Sequence, residues 1–196
     1  MLYSTSALVL AKREIKDREF TYTLLTSWYG KVGGFAREVK NKWGVDIGNL
    51  VEVLFDTKNG VNRIRTMSIV MSIQTEHLEY TTTHDFLLLI ESIRKHTPEG
   101  SGEWIFEDIS FLLTRLSLIS IENYKNELCH GLFLLKLRLL GHFQNIDSLT
   151  ESQHPLIGKL ARLAEVNNLE GLFRIQGIPE SAYSETHTLF LRYFFS

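Results

Sequence analysis

The stretch FTYTLLTSWYGKVGGFAREVKNK, residues 20–42, decides how the rest of the chain is read. Phe20, Tyr22 and Leu24 alternate with Thr21 and Thr23, the period-two pattern of a half-buried strand. Thr26 to Gly30 reads as a turn and Lys31 to Lys40 as the next strand, with Gly33-Gly34 predicting a bend or bulge that helps a small barrel to close. Lys31, Arg37, Lys40 and Lys42 are interleaved with Trp28, Tyr29, Phe35 and Trp43. Cations neutralise phosphates and release counterions, while exposed rings stack on unpaired bases without reading sequence. On one barrel face these residues make a candidate single-strand binding surface. The competing reading puts the rings in the core and leaves the cations as ordinary solvated surface.

The neighbouring segments extend the pattern. Ser4 to Arg13 reads as a first strand, followed by a polar turn from Ile15 to Glu19. Val51, Val53 and Phe55 give the inward face of a fourth strand, and Asn59-Gly60 marks a hairpin turn. In a fifth strand, Arg63 to Ile73, Met67, Ile69, Met71 and Ile73 share a face while Ile64 lies opposite, which predicts a bulge or face switch. Five strands within residues 1–76 fit an oligonucleotide-binding (OB) barrel, although pattern alone leaves an SH3-like barrel open. Lys12, Arg13, Arg63 and Arg65 are positioned to extend the basic surface.

Beyond Gln74 the apolar period becomes helical, so residues 80–196 are expected to form a helical domain. Thr83 is a candidate cap for a helix from His84 to about Lys95, with a loop from His96 to Glu103 behind it. Ile105, Ile109, Leu112, Leu116 and Ile119 recur on one face, as do Leu128, Leu132, Leu135 and Leu139. Pro155 suits the first position of a helix carrying Leu156, Leu160 and Leu163, and Glu185 to Phe195 is a last amphipathic segment. The fold class is therefore α+β, a five-stranded OB-like barrel followed by helices. No Pro/Gly-rich linker separates the two parts, so they are expected to pack together.

Composition narrows function by exclusion. Residues 1–74 hold 11 cations against 7 acids, an excess of +4, and the remainder carries −6 to give the net −2. A basic part beside an acidic part points to different partners for each. No leader pattern is apparent, and the apolar run from Leu128 to Leu140 is broken by Lys136 and Arg138, so no membrane partner is expected. One cysteine, Cys129, fits a reducing compartment and reads as a small buried hydrophobe. Glu127 and His130 have the spacing of half a di-iron motif without a second copy, so the histidines read as surface or helix-end residues. No phosphate-binding loop, dinucleotide fingerprint or nucleophile elbow occurs, and Asp46, Asp56, Glu107 and Asp108 fall in unrelated segments. The expectation is a protein that performs no covalent catalysis and carries no cofactor. Apolar surplus in Leu132 to Leu140 and in the terminal Leu189 to Phe195 either makes a peptide groove or is mutually buried.

One resemblance draws these features together. Leu24-Leu25-Thr26, Gly30-Lys31 and Ala36-Arg37 with the run Lys40 to Lys42, preceded by Lys12-Arg13, resemble the N-terminal OB domain of the RecO recombination mediators. Phe133, Leu137, Leu139, Leu140 and Gly141 are similar to a helix of that family's second domain. The resemblance implies a cytoplasmic, nucleoid-associated DNA-repair protein. It would bind single- and double-stranded DNA, anneal strands, help load the RecA recombinase with its partner RecR, and dock the acidic C-terminal tail of the single-strand-binding protein SSB. By position it implies Lys12, Arg13, Lys31, Arg37, Lys40 and Lys42 as phosphate contacts. The chain departs from the family at Glu38, where many members have glycine, and in Phe143 to Thr150, which lacks the cysteines that hold zinc in some members. No zinc is expected. The alternative function is a non-catalytic interaction adaptor in which the barrel is only structural.

Overall fold

A computed structural model describes residues 2–16, 18–37, 44–143 and 155–196. Five strands, β1 (Leu2–Lys16), β2 (Glu19–Thr26), β3 (Gly30–Arg37), β4 (Leu50–Lys58) and β5 (Val61–Met71), close into a barrel in the order β1-β2-β3-β5-β4. Neighbours pair antiparallel except β3 with β5, which are parallel at Phe35–Arg63 and Ala36–Ile64. The topology is OB-like. Helices follow: α1 (Tyr80–His96), α2 (Glu103–Ser117), α3 (Ile121–Phe143), α4 (Pro155–Val166), α5 (Leu169–Leu172) and α6 (Glu180–Phe194). Among the described residues no helix is long and apolar enough to cross a membrane.

Closure comes from bulges, though not where the glycines suggested. β2 and β3 pair without a break from Glu19–Arg37 to Thr26–Gly30, straight through Gly33-Gly34. Register slips instead around Leu10 and Ile15 in β1, so that its first half pairs with β4 and its second half with β2. It slips again at Val70 and at Arg65 in β5, the latter turning both Ile64 and Met67 into the barrel as the face switch required. Gly34 has a different purpose from bending. A Cβ there would come 2.8 Å from Ile64 Cδ1 and 3.1 Å from Phe55 Cε1, so its absence lets those side chains fill the barrel. The tight β4–β5 turn is the anticipated one, with Asn59 and Gly60 both at positive φ.

Two apolar cores result. Val9, Tyr22, Leu24, Val51, Val53, Phe55, Ile64 and Met67 fill the barrel. Leu8, Leu10, Leu25 and Leu50 point the other way and join the helical core with Phe86, Ile90, Ile105 and Leu132. Those strands are buried on both faces at that end, and each large side chain buried contributes about 1.5–3 kcal/mol. The hairpin end at Gly30 adds backbone bonds, Lys31 N–H to Ser101 O (2.9 Å) and Gly100 N–H to Lys31 O (2.9 Å). Barrel and helices pack directly together.

Several helix boundaries differ from the periodic reading. α1 starts a turn early because Thr82 is a buried position and belongs inside the helix; Glu79 precedes the first turn and gives its carboxylate to Lys125 at 2.6 Å. α4 buries Ile157, Leu160, Ala161 and Ala164, leaving Leu156 and Leu163 partly exposed. α6 starts at Glu180, right after Pro179. Leu132 to Leu140 is entirely buried, packed with Leu189, Phe190 and Phe194, so the two apolar surpluses cover each other.

Candidate nucleic-acid interface

The outer face of β2 and β3 is divided by the helices. At the hairpin end Leu25 and Lys31, opposite each other, are covered. Moving away from the hairpin along the same face come Thr23 and Gly33, then Thr21 and Phe35, then Glu19 and Arg37. Register carries each level onto the flanking strands. Ala11 pairs with Thr23, Arg13 with Thr21, Lys16 with Glu19, and Arg63 with Phe35. One row thus reads Arg13, Thr21, Phe35, Arg63 across four strands, about 14 Å at ~4.8 Å per strand. Phe35 is half-buried and both arginines are exposed.

The two adjacent rows shape this platform. Ala11, Thr23 and Gly33 form a low floor on the helical side, where a Cβ on Gly33 would meet nothing within 4 Å among the described residues. Asn62 Nδ2 donates to Gly33 O (3.1 Å), pinning β5 beside β3. On the open side, exposed Lys16 and Arg37 bracket Glu19, and exposed Arg18 sits in the β1–β2 turn at φ 61°. A shallow aromatic platform between two guanidinium groups offers a stacking surface with charge on either side.

Other sequence-selected residues lie elsewhere. Lys31 is turned inward, with Nζ donating to Arg94 O (3.0 Å) and 3.7 Å from Glu99, because its row is the one that the helices cover. It is a strut between barrel and α1, not part of the open surface. Lys12 points to the barrel mouth, where Nζ donates to Val45 O (3.2 Å) and lies 4.7 Å from the Phe20 ring centroid. Arg65, the bulged residue, hydrogen-bonds Asp56, and this bond holds the Asp56 carboxyl below the usual carboxylate range. Trp28 is highly exposed at the β2–β3 turn, about 17 Å along the strand from Phe35 at ~3.3 Å per residue. Lys40, Lys42, Glu38 and Trp43 fall outside the described residues, as does most of Phe143 to Thr150.

The helical half carries buried charge that periodicity concealed. Lys136, among the most buried residues of α3, is bonded to both Asp85 oxygens at 2.6 Å. Arg138 is buried beside Asp108, which also accepts from Leu169 N–H at 2.9 Å, and it donates to the carbonyls of Ala164 and Asn167. His130 is not a surface residue: Nδ1 lies 2.8 Å from Tyr183 Oη and its ring contacts Phe173. Glu127 engages Arg115 instead. Cys129 is half-buried at the edge of a cleft. Among the described residues no three His, Cys, Asp or Glu side chains converge to hold a metal ion. No protein-family model matches the chain, and no curated protein sequence matches it.

Proposed function

We propose that this chain is a non-catalytic nucleic-acid-binding protein whose open β2–β3 face receives single strands. The observation that carries the reading is the row Arg13–Thr21–Phe35–Arg63, which sets one stacking ring between two exposed guanidinium groups. OB barrels bind oligonucleotides on this pair of strands, and the closed order β1-β2-β3-β5-β4 supports the comparison. Arg37, Lys16 and Arg18 supply further phosphate contacts along the open side. The resemblance to RecO mediators extends the proposal to strand annealing and recombinational repair, with RecR and the SSB tail as partners of the helical half. Holding two neutralised strands on one surface lowers the repulsion that slows their pairing.

Binding of a labelled oligonucleotide at low and moderate salt tests the proposal. With five phosphate contacts on a single strand, affinity should fall about 130-fold between 50 and 200 mM salt. Arg13→Ala/Arg63→Ala should flatten the log–log salt slope by about 1.4. Phe35→Ala should cost about 1–3 kcal/mol of binding and leave the slope unchanged. Absence of binding at low salt, or affinity indifferent to salt and to all three substitutions, would overturn the reading in favour of an interaction adaptor.

A further inference from the structure

The first half of α6 is held to the bundle by a different kind of contact from the second. Leu189, Phe190 and Phe194 anchor the second half in the helical core. Before Leu189 the buried positions are Ala182 and Thr186, and among the described residues Thr186 Oγ1 has no hydrogen-bond partner. Polar attachments do the work there. Tyr183 Oη meets His130, and His187 Nδ1 lies 2.9 Å from Lys136 Nζ and 3.2 Å from Asp85 Oδ1. Tyr183, His187, Lys136 and Asp85 border a cleft of about 350 Å³ between α1, α3 and α6, lined also by Thr81, Thr82, Cys129, Phe133 and Ser184.

Lys136 sets the requirement. Its ammonium has three hydrogens and three acceptors: the two Asp85 oxygens and His187 Nδ1. His187 serves only as the neutral tautomer with its proton on Nε2. A proton on Nδ1 removes the third acceptor from a nearly fully buried ammonium and places a second cation at hydrogen-bond distance from it.

We propose that the first half of α6 is an acid-sensitive latch, released from α1 and α3 over this cleft when His187 takes up a proton. The groups facing His187 are His84 and Asp85 from α1 and Lys136 from α3. Burial, then Lys136, holds the His187 imidazole below its ordinary value, with Asp85 opposing and His84 assisting. Burial likewise lowers His130, where Glu127 opposes and Arg115 of α2 assists. A histidine lowered in the docked state favours docking above its free value of about 6.5 and loses that contribution as pH falls below it. Leu189 marks the hinge, because the apolar anchors beyond it do not titrate.

Amide hydrogen exchange corrected for intrinsic rate, near pH 7.5 and pH 5.5, tests the latch. Protection at residues 182–188 should fall between pH 7.5 and 5.5, by at most about tenfold over the one unit below 6.5, while residues 191–194 and the barrel strand 51–55 hold theirs. In His187→Gln the amide oxygen accepts from Lys136 at every pH, so the pH dependence should shrink to under about twofold. The imidazole titration of wild-type His187, followed by NMR, should lie below 6.5, with the loss of protection confined between 6.5 and that titration, and this arm does not depend on any variant folding. Protection at 182–188 that follows 191–194 at both pH values, or that falls outside the interval between 6.5 and the His187 titration, would overturn the proposal. Undiminished pH dependence in a folded His187→Gln would do the same.

Discussion

Arg13 and Lys31 show how little residue type alone determines. Both are cations near the ends of barrel strands, yet Arg13 is exposed and Lys31 Nζ is tied to Arg94 O. In the binding experiment Lys31→Met should therefore leave the salt slope within error of wild type while lowering stability, the reverse of Arg13→Ala. Arg138 makes the stronger case. Removing it strands the Asp108 carboxylate in the interior, so Arg138→Met should cost about 3–5 kcal/mol in urea unfolding. Arg138→Met/Asp108→Leu should recover part of that loss, because replacing both partners removes the unpaired charge but takes away the partners of Leu169 N–H and of the Ala164 and Asn167 carbonyls. Neither burial was legible beforehand. Lys136 and Arg138 interrupt an apolar run in the sequence, and interruption looks the same for a solvated cation as for one sunk onto an aspartate.

Single elements were readable where one face alone is buried. Val51, Val53 and Phe55 alternate cleanly with their neighbours and do fill the barrel, and Asn59-Gly60 makes the turn its residue types demand. Legibility fades where both faces are covered: Leu8, Leu10, Leu25 and Leu50 serve a second core that strand alternation does not announce. The outward row of the candidate interface depends on register, which local sequence leaves undetermined, and above all on whether Gly33-Gly34 breaks it. Gly30 belongs to this scale. It sits at φ 59°, and a Cβ there would lie 2.3 Å from Ser101 N, a backbone atom with no room to yield. Gly30→Ala should destabilise by more than about 2 kcal/mol through strain at the hairpin and a pushed-away loop. A lower midpoint in thermal unfolding checks it.

At the scale of the molecule the two cores lie on opposite faces of the same strands, with Leu8, Leu10, Leu25 and Leu50 facing the helices. Melting followed separately by far-ultraviolet dichroism and by Trp28 fluorescence in a variant with its other tryptophans replaced should give coincident transitions, the mark of one cooperative unit. Residues 1–78 expressed alone should lose that cooperativity, since Leu8, Leu10, Leu25 and Leu50 become exposed together; a sharp, reversible melt of the fragment would contradict this view.

The same junction closes a weak point in the barrel. β3 meets β5 through Phe35 and Ala36, and nearer the hairpin its main chain is occupied by Ser101, Gly100 and the Asn62 amide. Take the helical half away and the Lys31 amide and carbonyl stand open on a strand edge, a template for a strand from another copy. The loop between α1 and α2 therefore covers that edge as well as connecting the helices. Under the proposed function copies would sit side by side on a polymer, where a covered edge matters most.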